Sequence, residues 1–169
     1  MKEILEAQIG DWLRQRNLKL VVAESCTGGL IGHRITNIPG SSDYFLGGMI
    51  AYSYEAKERL LGVPHEMIAR YGAVSRETVI EMARGARQVL ADDFPIQHVI
   101  GLAVSGIAGP GGGIPGKPVG LVWIGLSTPE WDRAWKFIWH GNRVENKEQS
   151  AQAALQILLD YLSGQLTTN

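Results

Sequence analysis

Leu5, Ile9, Trp12 and Leu13 recur at helical spacing with charges between them, which predicts an amphipathic helix over residues 3–16. The period then shortens. Leu18-Lys19-Leu20-Val21-Val22-Ala23 is a β-prone run, stopped by Glu24-Ser25-Cys26-Thr27-Gly28-Gly29. A second helix is expected from Thr27 to Thr36, then a loop over 38–42. A strand is predicted from Phe45 to Tyr52. Ser53 stands where it would cap a helix over 55–61, closed by Gly62. Pro64 opens a short helix ended by Gly72. Ser75 opens a longer one, whose apolar face reads Val79, Met82, Ala83, Ala86, Val89 and Leu90. Strands are predicted over 98–104, 119–127 and 133–140, the last two joined by a turn at Pro129. A final helix runs from Arg143 to Leu162.

Apolar strands separated by helices indicate an α/β sheet covered on both faces. The expected architecture is a single-domain, three-layer α/β/α sandwich over residues 1–169, its sheet mixed and mostly parallel, turning antiparallel where the last strands adjoin. No internal repeat, low-complexity tract or linker interrupts it.

Composition narrows the function classes. Sixteen basic against seventeen acidic residues leave a net charge of −1, without the basic excess that nucleic acid asks for. No apolar run approaches the ~20 residues needed to span a bilayer. The single cysteine, Cys26, excludes an internal disulfide framework and any multi-cysteine metal site. It suits a reducing cytoplasm, and the acidic, amphipathic start is unlike a signal peptide. The expectation is a cytoplasmic protein with no nucleic-acid or membrane partner. Three of its five tryptophans lie within 131–139 and offer aromatics for an interface, so a homo-oligomer, a dimer, is expected.

Three segments carry candidate chemistry. The first, Glu24 to Gly29, lies between a strand's carboxyl end and a helix's amino end, where ligands of open α/β sheets bind. Ser25 there is either a nucleophile, with the amides of Thr27, Gly28 and Gly29 receiving an oxyanion, or a helix cap. Cys26 reads as a small buried cysteine. The second segment holds Tyr52, at a strand end, and Lys57, one turn into the next helix; an intervening corner lets both point to one spot. The third is glycine-rich: seven of the sixteen residues over 105–120 are glycine. Its backbone, with Ser105, Gly106, Ala108 and Gly109, suits close approach to a substrate, yet it matches neither a Walker A nor a dinucleotide motif. Lys117 and Arg143 are candidate anion partners.

Together these segments resemble the CinA C-terminal domain family, whose stand-alone members are nicotinamide-nucleotide amidases. The likeness rests on Ala23 to Gly29, Ala51-Tyr52-Ser53 with Glu55-Ala56-Lys57, Tyr71 to Ser75, Ser105 to Pro110, and Lys117 to Gly120. They stand in the family's order from about residue 3 to residue 162. The larger N-terminal domain of full-length members lies outside the likeness, and its activity is not carried over. Tyr54 stands where the family commonly has asparagine, and Asn142 where it usually has aspartate.

The resemblance implies hydrolysis of the carboxamide of nicotinamide mononucleotide, with Ser25 as nucleophile, Lys57 as base and Tyr52 as relay or orienting group. No cofactor or metal is implied. Lys57 must then lose about three pKa units to act near neutral pH, and Glu24 must face something else. Phosphate recognition falls to the glycine-rich backbone with Arg143 or Lys117. Two competing readings are a binding module without turnover, using the same pocket, and a cysteine hydrolase using Cys26.

Overall fold

The computed structural model describes residues 4–166. Helix α1 spans Leu5–Gln15; its expected start at Glu3, and both ends of the expected 1–169 domain, lie outside the described residues. Strand β1 (Lys19–Glu24), helix α2 (Leu30–Thr36) and strand β2 (Phe45–Ile50) follow. Three helices come next: α3 (Tyr54–Leu61), α4 (His65–Tyr71) and α5 (Arg76–Gln88). Strands β3 (Val99–Gly106), β4 (Leu121–Ser127) and β5 (Asp132–Ile138) precede α6 (Arg143–Leu162).

The five strands form one sheet in the order β2-β1-β3-β4-β5. Both neighbours of β1 run parallel to it, whereas β3–β4 and β4–β5 are antiparallel. The division follows connectivity. Helices return the chain to the same end of the sheet between β1, β2 and β3, but no helix separates β3, β4 and β5. The sheet is therefore mixed as expected, with parallel and antiparallel pairings equal in number.

Alternation along the strands builds two cores. Leu20 and Val22 of β1, with Ile100, Leu102 and Val104 of β3, pack under α1, α2 and α6. Val21 and Ala23 face the other way, against α3, α4 and α5. Helix α5 lies very close to the sheet. A Cβ on Gly101 would stand 2.0 Å from the Ala83 carbonyl oxygen, and one on Gly125 2.6 Å from that of Val79. Glycine is what admits the helix.

Several boundaries differ from expectation. Helix α2 begins at Leu30, because residues 26–29 are turns. Strand β2 ends at Ile50, releasing Tyr52 from the sheet. Helix α5 ends at Gln88, so Val89 never turns onto the apolar face and is 45% exposed. The chain leaves β1 for β2 on one side and later reaches β3 on the other. The carboxyl ends of β1 and β3 thus flank a topological switch point, where such sheets form their binding crevice.

Candidate active site

Ser25 follows directly on β1, and its amide donates to the Val104 carbonyl of β3 at 3.0 Å. That bond fixes the serine at the crevice, where it is 7% exposed. Across from it, Ser53 caps α3 by accepting from the Ala56 amide at 3.1 Å. Lys57 lies in the first turn of that helix and reaches back under the corner, only 1% exposed. Its Nζ donates to the Ala51 carbonyl at 2.8 Å, the Tyr52 carbonyl at 3.2 Å and Ser25 Oγ at 3.0 Å. Burial pushes the Lys57 amine down from 10.5 to about 8; the neighbouring Cys26 opposes this. Burial also drives the Cys26 thiol up to about 12, which leaves it protonated and unreactive.

A cavity of about 180 Å³ opens over this pair, lined by Ser25, Cys26, Tyr52, Lys57, Ser105 and Ala108 among others. Gly106 also lines it, and a Cβ there would crowd Val122 and the Cys26 Sγ. Ser105 is committed elsewhere: its hydroxyl donates to the Ala73 carbonyl at 2.6 Å, bracing β3 against the segment before α5.

Glu24 does face away from Lys57. Its carboxylate accepts from the amides of Gly29 at 3.0 Å, Ile31 at 3.1 Å and Gly32 at 2.9 Å, and so caps α2. This corrects the expected oxyanion donors. The Gly29 amide belongs to Glu24, and the Gly28 amide donates to the Ser25 carbonyl at 3.0 Å. Among the described residues, the amides of Cys26 and Thr27 have no oxygen acceptor. Thr27, Gly28 and Gly29 line a separate, adjoining cavity of about 360 Å³, closed on its far side by α6.

Tyr52 sits at the rim, 57% exposed. Its phenol accepts from Arg143 Nη2 at 2.7 Å and makes no bond to Lys57 or Ser25, so a relay through the phenol is not what this arrangement holds. Residue 52 orients Lys57 through its carbonyl instead. Arg143 Nη1 donates to the Gly109 carbonyl at 2.7 Å. Lys117, the other candidate anion partner, is turned onto the Tyr71 carbonyl and ties the glycine-rich loop to the end of α4.

Asn146 was not anticipated. Its Nδ2 donates to the Ala108 carbonyl at 3.0 Å and its Oδ1 accepts from the Gly141 amide at 3.0 Å, anchoring the glycine-rich loop to α6. A polar residue on the stripe that continues through Ser150, Ala151 and Ala154 was the available signal. Asn142 caps α6, accepting from the Val144 and Glu145 amides, with Glu145 returning the bond to the Asn142 amide. Asparagine at this position is as good a cap as aspartate.

Residues 2–162 match the CinA C-terminal domain family. The chain belongs to that family. It is 50% identical over 163 residues to a competence-damage inducible protein of Moorella thermoacetica, covering 96% of this chain and 38% of that one. A CinA-like protein of Salinibacter ruber is 45% identical over 152 residues, 90% of this chain and 35% of that one. The chain thus spans little more than a third of the length of the curated relatives it matches. Among solved structures, a CinA superfamily protein from Klebsiella pneumoniae superposes with a TM-score of 0.86 at 30% identity, over 95% of this chain and 96% of that one. A competence/damage inducible protein from Agrobacterium tumefaciens gives 0.77 at 34% identity, over 92% and 96%. The matched span contains all five strands of the sheet. Among the described residues, no helix is long and apolar enough to cross a membrane.

Proposed function

We propose that this chain is a serine–lysine amidase that hydrolyses the carboxamide of nicotinamide mononucleotide to nicotinate mononucleotide and ammonia. The observation that carries this reading is the 3.0 Å contact between Ser25 Oγ and a buried Lys57 whose amine titrates near 8. A base poised there is matched to neutral pH. In this reading the neutral amine takes the Ser25 proton while Oγ attacks the amide carbon. The amides of Cys26 and Thr27, which have no oxygen acceptor among the described residues, would serve as donors for the oxyanion. Lys57 then hands its proton to the departing nitrogen, which leaves as ammonia. A water, deprotonated by the same amine, cleaves the nicotinoyl ester and restores Ser25.

The cavity size supports an aromatic amide. Its volume is about 180 Å³, and apolar cavities of about 150 Å³ hold a benzene ring. A pyridine ring with its carboxamide fits, whereas a ribose phosphate must lie outside. The test is release of ammonia and nicotinate mononucleotide from nicotinamide mononucleotide by the parent, Ser25→Ala and Lys57→Met. Turnover by the parent and loss of at least about a thousandfold in each folded variant is expected for a nucleophile and its base. Turnover retained by Ser25→Ala would overturn the assignment.

A further inference from the structure

The second cavity holds two features that the amide chemistry does not use. It measures about 360 Å³ and lies between the Thr27–Leu30 turn and the face of α6 that carries Val144, Lys147 and Glu148. Thr27 is 1% exposed, and its Oγ1 is buried with no hydrogen-bond partner. A buried hydroxyl left unpaired is costly and calls for an explanation. Lys147 brings its Nζ within 3.6 Å of where a Gly28 Cβ would be.

Of the cations around Ser25, Lys57 is held by two carbonyls and the serine, Arg143 by Gly109 and Tyr52, and Lys117 by Tyr71. Lys147 has no acceptor among the described residues. Glu148 lines the same cavity but forms no ion pair with Lys147. Lys147 also stands four residues after Arg143, a like-charge spacing that costs a helix a little stability.

We propose that Lys147 and the Thr27 hydroxyl form a phosphate-monoester subsite, and that the phosphorylated end of the substrate lies in this second cavity. The inference rests on the amidase reading for which substrate arrives, but not for the binding itself. The reach is suitable. Gly28 closes a turn back to the Ser25 carbonyl, so the ammonium stands no more than about 12 Å from the Ser25 Cα. A mononucleotide can span that gap with its amide over Ser25 Oγ. The phosphate would accept from Lys147 Nζ and from Thr27 Oγ1, and Glu148 would accept from a sugar hydroxyl at the outer rim.

The test measures binding by calorimetry on the Ser25→Ala protein, with nicotinamide mononucleotide, nicotinamide riboside and inorganic phosphate as probes. The mononucleotide is expected to bind roughly tenfold to a hundredfold tighter than the riboside, the range of charge-assisted hydrogen bonds. Adding Lys147→Gln should collapse that ratio to a few-fold, and adding Thr27→Val should lower it in part. Both side chains lack protein partners, so both proteins should fold. Inorganic phosphate that binds as tightly as the mononucleotide would make free phosphate the ligand, and would overturn the substrate assignment. An unchanged ratio in Lys147→Gln, or no binding of any probe, would overturn the subsite. If the parent turns over the mononucleotide while the ratio ignores Lys147, the subsite fails and the amidase stands. If the ratio depends on Lys147 while no ammonia is released, the amidase fails and the subsite stands.

Discussion

Arg143 and Tyr52, 91 residues apart in sequence, are joined by a 2.7 Å bond from the guanidinium to the phenol at the mouth of the Ser25 cavity. The other arm of the same guanidinium holds the Gly109 carbonyl, so one side chain links the β2–α3 corner to the glycine-rich loop. Tyr52→Phe removes the first link and leaves the second. The bond is partly solvated, so kcat/KM should fall only about fivefold to tenfold. The pH midpoint of activity should not move, because Lys57 meets residue 52 through its carbonyl. A midpoint shifted by more than about one unit would return the phenol to the proton path.

Loss of the Lys57 proton raises both activity and stability. The amine must be neutral to act, so kcat/KM should rise with pH and reach half its plateau at about 8. A profile flat from about pH 6 to 10 would exclude Lys57 as the base.

The unfolded chain keeps its lysine proton up to about 10.5, whereas the folded chain releases it at about 8. Between those values the unfolded state binds more protons, so stability rises with pH across that window and the penalty is present in full below it. The gain is about 3 kcal/mol. Urea unfolding should show the parent gaining on Lys57→Met by that order as pH rises through the window. A constant difference would mean that Lys57 titrates alike in both states.

Gly101→Ala places a methyl group 2.0 Å from the Ala83 carbonyl oxygen, a contact that only movement of α5 relieves. Overpacking of this kind costs about 1–3 kcal/mol or more. Gly111→Ala meets nothing within 4 Å and should change stability by less than about 0.5 kcal/mol. Denaturant midpoints of the two variants separate close helix packing from loop substitution.

Cys26 offers a chemical control. Buried, with its thiol at about 12, it should resist alkylation in the native protein near neutral pH, and amidase activity should survive the reagent. Rapid labelling accompanied by inactivation would favour a cysteine nucleophile.

Local patterns fixed most elements in advance, because their causes are local. Ser53 and Ser75 cap the helices they precede, and α6 begins and ends at the residues that its apolar stripe indicated. The candidate site was legible as residue types, not as contacts. Ser25 and Lys57 are 32 residues apart, and nothing in their spacing says that a β2–α3 corner folds one over the other. Glu24 shows the same limit. It was expected to avoid Lys57, but the three amides it occupies became visible only once α2 was seen to start at Leu30. Lys117 and Arg143 read equally as anion ligands until their carbonyl acceptors appeared. Asn146 works by joining one loop to a distant helix, which no local rule records.

The three oxygens around Lys57 Nζ are not equivalent. A charged ammonium has three protons and satisfies the Ala51 carbonyl, the Tyr52 carbonyl and Ser25 Oγ at once. A neutral amine has two protons and one lone pair. The carbonyls can only accept, so they claim both protons, and the lone pair is left facing the one neighbour with a hydrogen to give. Two main-chain carbonyls of the β2–α3 corner therefore set the direction of proton flow. Losing its proton aims the lysine at the serine, with no change of rotamer.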